Sequence, residues 1–156
     1  TQGVSSAASD VYKRQALASG IELHRIIFSP RTGYNDYRHR LQLVDLYLDT
    51  FPYNAGSTAR DVVESGVPLL TRSGRTMVSR MAGSLLHAVG LSELVVTSNK
   101  AYRKKALELM TDRAQTRRLR KKLQRQLVTQ PSTANKIVAT LEEQITQRLL
   151  LLQHAA

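Results

Sequence analysis

Val44-Asp45-Leu46-Tyr47-Leu48-Asp49-Thr50-Phe51-Pro52-Tyr53-Asn54-Ala55-Gly56-Ser57-Thr58 is the stretch on which the fold turns. Leu46, Tyr47 and Leu48 inside Asp45–Asp49 form a short apolar and aromatic run that reads as a buried strand. Pro52 and Asn54 turn Thr50–Ala55 into a loop. Gly56-Ser57-Thr58 then opens a helix that runs to about Ser65, where Gly66 stops it. Val67–Thr71 follows as another apolar strand. A strand, a helix and a strand in this order, with no hairpin signal between them, predict a right-handed crossover and a parallel sheet.

The same alternation extends outward. Upstream, Arg25-Ile26-Ile27-Phe28 reads as a buried strand ended by Ser29-Pro30, after a helix end at Ala16–Ser19 closed by Gly20. Asp36–Val44 carries Tyr37, Leu41 and Val44 at helical spacing, with Asn35 or Asp36 as N-cap. Downstream, Ser73-Gly74 is a turn, Met77–Val89 a single apolar helix closed by Gly90, and Leu94–Thr97 a fourth strand. The remainder reads as helix: one capped by Ser98 or Asn99 to about Met110, one capped by Asp112 to about Leu127, and a last one from Ser132 or Thr133 after Pro131. The expected organisation is an α/β lobe over residues 16–98, a short parallel sheet with flanking helices, and an all-helical extension over 99–156 that packs on it. Residues 1–15 show no period and are expected to be a poorly ordered or foreign leader.

The 156 residues suffice for one core, and 42% hydrophobic with 22% charged residues excludes a wholly disordered or fibrous chain. The absence of cysteine excludes disulfides and Cys-based zinc sites, fits a reducing cytosol, and goes with an expected cytoplasmic location. No apolar stretch has the length of a membrane span. Asp45 and Asp49 are four residues apart, which is not an Asp-x-Asp metal motif. His24, His39, His87 and His154 show no ligand spacing, so no metal is expected.

The net charge of +11 is concentrated: Arg103–Arg125 holds ten bases and two acids, Glu108 and Asp112, and so carries +8 of it. Leu107, Leu119, Leu123 and Leu127 interleave with these bases, and no aromatic follows Tyr102. An amphipathic helix pair with a packed leucine face and wet cations accounts for this pattern. A non-enzymatic basic module that binds nucleic acid or another polyanion is the alternative, one that lacks aromatic residues for base stacking.

Ligands of parallel α/β sheets sit beyond the carboxyl ends of the strands. There, Gly56-Ser57-Thr58 offers backbone N–H groups, a helix dipole and hydroxyls to a phosphate, and Asp61, one turn on, can accept from ribose hydroxyls. The same residues also read as a plain helix start, Ser57 an N-cap and Asp61 a first-turn acid.

In order and spacing, Arg25–Phe28 with Ser29-Pro30, Val44–Thr50, Asn54–Thr58, Asp61, Gly66-Val67-Pro68 and Ser79-Arg80 resemble the C-terminal catalytic lobe of the O-GlcNAc transferase family, including bacterial and protein N-glucosyltransferase-like members. The resemblance covers about Gly20 to Glu93. It implies the Rossmann-like, nucleotide-holding lobe of a two-lobe, metal-independent glycosyltransferase, with a UDP-sugar donor and a protein or peptide acceptor. By it, the diphosphate-binding tripeptide falls on Gly56, Ser57 and Thr58, with an imidazole lost at Gly56. The ribose-binding carboxylate falls on Asp61, the main-chain uracil contact on Thr32 and the ring stacked on the base on Tyr37. A family lysine falls on Tyr34, so that charge is absent. Further family residues beside the diphosphate lie upstream of this region, in a part that includes the N-terminal catalytic lobe. The 156 residues are therefore expected to be a fragment with no complete catalytic set and no useful transferase activity alone.

Overall fold

A computed structural model describes residues 6–129, 140 and 142–148. The chain divides after Arg40 into two compact units. In the first, α1 (Ser6–Ala18) ends where Gly20, at φ +71°, turns the chain, its N–H donating to Leu17 O and that of Ile21 to Ala16 O. Ten of its residues fall in the stretch expected to be a leader (Ser6–Gln15); alanines supply helix propensity there without an apolar period to announce it.

The strand expected at Arg25–Phe28 does not form. Leu23–Arg25 is a turn of 3₁₀ helix, Ile26 is extended but unpaired, and Ile27 is 86% exposed. A strand exists only by pairing, and no other strand of this unit is present among the described residues to pair with it. Helix α2 (Tyr34–Gln42) begins before the expected caps Asn35 and Asp36.

The second unit holds a three-stranded parallel sheet, β1 (Tyr47–Leu48), β2 (Leu69–Arg72) and β3 (Val95–Val96), in the order β1-β2-β3. Tyr47 pairs with Leu69 and Thr71 with Val95. α3 (Ser57–Glu64) and α4 (Met81–Ala88) make the crossovers. The central strand is covered on both faces: Val67, Leu69, Leu70 and Thr71 have no exposed surface, and Val62, Leu86, Leu91 and Leu94 complete the core. Each fully buried leucine contributes about 1.5–3 kcal/mol. Gly66 (φ +74°) and Gly90 (φ +70°) close α3 and α4 in the left-handed conformation that the expected stops require.

The single helix expected over Met77–Val89 is broken at Arg80 into a 3₁₀ turn, Met77–Ser79, and α4. The buried Ser79 hydroxyl accepts from Thr76 N–H (3.2 Å) and donates to Thr76 O (2.9 Å), which winds the chain too tightly for α-helix. As a result the expected apolar stripe is only half core. Leu86 and Val89 are buried, while Met77 is 77% and Met81 37% exposed.

α5 (Asn99–Thr111) is capped by Ser98 Oγ, which accepts from Ala101 N–H. α6 (Arg113–Thr129) is capped by Asp112, whose carboxylate accepts from Gln115 N–H at 2.9 Å. Of the expected leucine face, Leu119 and Leu123 are buried and Leu127 is half-buried, but Leu107 is 61% exposed and Leu109 takes its place in the core. Arg117, Arg118, Lys121 and Lys122 are exposed, so on α6 the leucines pack and the cations stay wet. Arg120 donates to Gln42 O and Val44 O, and Lys122 meets Glu93 at 2.6 Å. The start of the helix expected from Ser132 or Thr133 lies outside the described residues. Among the described residues no helix is long and apolar enough to cross a membrane.

Candidate nucleotide-sugar site

The turn at the carboxyl end of β1 is built around Asp49, 6% exposed. Its Oδ1 accepts from Thr50 N–H (2.9 Å) and Ala55 N–H (2.8 Å), and its Oδ2 from the Thr71 hydroxyl on β2 (2.6 Å). One carboxylate thus ties both ends of the loop Thr50–Ala55 to the neighbouring strand, and hydrogen bonds to an ionised group are the strong kind. The Tyr102 hydroxyl on α5 donates to Asp49 O at 2.8 Å. Burial, with the Asp49 charge second, pushes the Tyr102 phenol up to about 12.

Asn54, fully buried, reinforces the loop. Its Nδ2 donates to Thr50 O (2.8 Å) and Arg72 O (3.3 Å), and its N–H to Val78 O (2.9 Å), while its Oδ1 has no partner. The Arg72 guanidinium stacks 3.7 Å from the Phe51 ring centroid and donates to Asn99 Oδ1.

From this anchored loop α3 starts with Gly56 as its N-cap, and no side chain caps it. Ser57 is therefore the first helical residue, not the cap. The Ser57, Thr58 and Ala59 N–H groups lack intrahelical partners by position, and Gly56 has no side-chain oxygen to offer them. Ser57 is exposed, and Gly56, Thr58 and Asp61 are half-buried. Asp61 lies four residues after Ser57 and three after Thr58, on one helix face with both. A donor-rich helix start with hydroxyls and a carboxylate along one face suits an anion attached to a polyol. The methyl of Met81 covers Gly56, 2.8 Å from where a Cβ would stand.

Gly56, Ser57, Thr58 and Asp61 are thus together in the second unit. Thr32 and Tyr37 are together in the first. There Arg40 donates to Pro30 O (3.0 Å) and to the Thr32 hydroxyl (3.1 Å), and the half-buried Tyr37 ring lies 6.3 Å from that of Tyr34. The scaffold residues Asp49, Asn54, Thr71 and Tyr102 were not legible as a group. An acid ending an apolar strand was the one local signal, and its partners lie 22 and 53 residues away. Arg80, of the Ser79-Arg80 pair, is exposed and makes no side-chain hydrogen bond among the described residues. Among the described residues, no three His, Asp or Glu side chains cluster as metal ligands would.

The chain and its fold have relatives among known proteins. A mutant O-GlcNAc transferase of Thermobaculum terrenum superposes with a TM-score of 0.84 at 29% identity, over 91% of this chain and 28% of that one. The probable UDP-N-acetylglucosamine–peptide N-acetylglucosaminyltransferase SEC of Arabidopsis thaliana is 33% identical over 121 residues, which are 77% of this chain. The corresponding SPINDLY protein of Hordeum vulgare is 34% identical over 113 residues, 72% of this chain. The chain spans about 12% of the length of these two relatives. Residues 5–140 match the glycosyl transferase family 41 pattern, so the match starts inside the stretch expected to be a poorly ordered or foreign leader. With 136 of 156 residues inside that match, the chain belongs to glycosyl transferase family 41.

Proposed function

We propose that this chain is the UDP-sugar-binding part of a protein glycosyltransferase that transfers GlcNAc or a related hexose to a protein side chain. The observation that carries the reading is the uncapped start of α3 at Gly56–Thr58, held at the carboxyl end of β1 by buried Asp49. In the reaction an acceptor nucleophile attacks the anomeric carbon of the donor, the glycosidic bond to phosphate breaks, and negative charge grows on the departing UDP. The Ser57 and Thr58 N–H and hydroxyl groups stabilise that charge without a metal, because they are fixed before the charge develops. Asp61 accepts from the ribose hydroxyls. The uracil contacts that the family resemblance implies fall in the first unit, on the Thr32 main chain, whose hydroxyl Arg40 engages, and on the Tyr37 ring. The names of the relatives, peptide N-acetylglucosaminyltransferases using UDP-N-acetylglucosamine, support the donor and acceptor classes.

Calorimetry with UDP tests the reading. Saturable heat with wild type, lost in Asp61→Ala while the circular dichroism spectrum is kept, is the expected result. UDP binding that survives Asp61→Ala unchanged removes the ribose role, and no binding by the wild-type chain removes the site. Competition between UDP-GlcNAc and UDP-glucose then ranks the donors.

A further inference from the structure

Beside the proposed phosphate turn, a cavity of about 1000 Å³ opens beyond the carboxyl ends of β2 and β3. Arg75, Arg80 and His87 line it, with Met77 and Met81 as apolar wall, and no carboxylate is among its lining residues. Arg75 and Arg80 are exposed, and neither makes a side-chain hydrogen bond or ion pair among the described residues. Some other cations of this unit are engaged, Arg60 with Glu64, Lys105 with Glu108, Lys122 with Glu93 and Arg72 with Asn99. Arg117, Arg118 and Lys121 on α6, like Arg75 and Arg80, make no such contact among the described residues but do not line this cavity. We propose that this cleft docks an acidic segment of a polypeptide, which on the reading above is the acceptor.

The backbone that carries the two arginines is fixed in advance. Ser73 N–H donates to Val96 O (2.8 Å), Gly74 N–H to Ser79 O (2.9 Å) and Asn54 N–H to Val78 O (2.9 Å). Glycine at positions 74 and 83 lets the loop fold this closely: a Cβ would stand 2.5 Å from Ser79 Oγ at Gly74, and 2.4 Å from Ser73 Oγ at Gly83. With the loop backbone already fixed, two guanidiniums bind carboxylates at the ordering cost of their side chains alone. The exposed thioethers of Met77 and Met81 give an adaptable wall for apolar side chains between the acids. The cleft is far wider than one inorganic anion needs, and no aromatic ring lines it to stack a base, so a peptide fits it better than a phosphate or a nucleic acid. The methyl of Met81 also covers Gly56, so a peptide lying in the cleft borders the start of α3.

The three methionines of the chain make the test direct. Met77 and Met81 line this cleft, and Met110 lines a separate groove between β1 and the α5–α6 pair. A short synthetic peptide with alternating Glu and Leu around one Ser is titrated into protein labelled at its methionine methyl groups. Expected are shifts of the Met77 and Met81 resonances with Met110 unmoved, none with the Gln-for-Glu peptide, and affinity at least about tenfold weaker in the Arg75→Ala/Arg80→Ala double variant. The proposal is overturned if Met110 alone responds, if single-stranded RNA produces the same shifts, or if Arg118→Ala/Lys121→Ala weakens the peptide as much. UDP binding is measured on the same samples. Lost peptide binding with UDP binding intact in wild type defeats the docking site alone, whereas peptide shifts without UDP binding defeat the nucleotide reading alone.

Discussion

Replacing Ser57 by Asp separates the helix start as an anion seat from the helix start as mere structure. Ser57 is exposed and is the first residue of α3, and the first turn holds no acid. A carboxylate there complements the helix dipole, so the folded state gains about 0.3–1 kcal/mol and Tm is kept or raised. The same carboxylate faces the proposed diphosphate. At a separation of ~5 Å and an effective dielectric constant between ~20 and ~80, one added charge costs roughly 1–3 kcal/mol of binding, about 5- to 150-fold in Kd. Raising the salt concentration recovers part of the loss, because the site is at the surface. Calorimetry with UDP beside a thermal melt reads both numbers from one preparation. A variant that melts no lower than wild type yet binds UDP equally well refutes the assignment of the diphosphate to this turn, since misfolding could not explain the result.

Asp49→Ala strands the Thr50 and Ala55 N–H groups and the Thr71 hydroxyl; a loss of about 3–5 kcal/mol by urea denaturation is expected, and Asp49→Asn, which can still accept and can donate to the Thr71 oxygen, costs clearly less. Gly66→Ala forces a side chain into φ +74° and to 3.3 Å from Gln124, lowering stability by about 1–2 kcal/mol and Tm by roughly 2–8 °C in a melt. The Tyr102 phenol, raised from 10.0 to about 12, stays protonated and donating; its share of stability is therefore present below pH 10 and is lost as pH rises through about 12. Ultraviolet titration is expected to show that late step in wild type and not in Tyr102→Phe.

The parts of the fold legible in the sequence are those decided locally. Gly66 and Gly90 mark the ends of α3 and α4 because the left-handed turn after a helix favours one residue type. β1 and β2 are visible as short apolar runs bounded by loop residues. The errors share a cause. Ile26-Ile27-Phe28 has the composition of a strand, but strand formation belongs to a pair and a partner cannot be read from three residues. Met77–Val89 has a continuous helical stripe, yet the Ser79 hydroxyl bonds its own loop and the stripe splits, leaving Met77 in solvent.

The site divides along the same line. Gly56–Thr58 and Asp61 are visible because helix starts are local events, but their competing interpretation as an ordinary cap was equally local. The two differ in where the Ser57 hydroxyl goes. An N-cap hydroxyl is engaged by the N–H groups of its own first turn. With Gly56 as the cap, Ser57 stands one residue inside the helix, and neither residue caps those N–H groups with a side chain. An uncapped, water-facing helix start is marginal by itself. Here it is held by Asp49, Asn54 and Tyr102, whose hydrogen bonds fix the loop before α3 rather than the free N–H groups themselves. Capping the helix directly would stabilise the fold equally and would occupy the donors. Anchoring the loop from behind keeps them available, which is the arrangement expected of a turn whose partner arrives from solution.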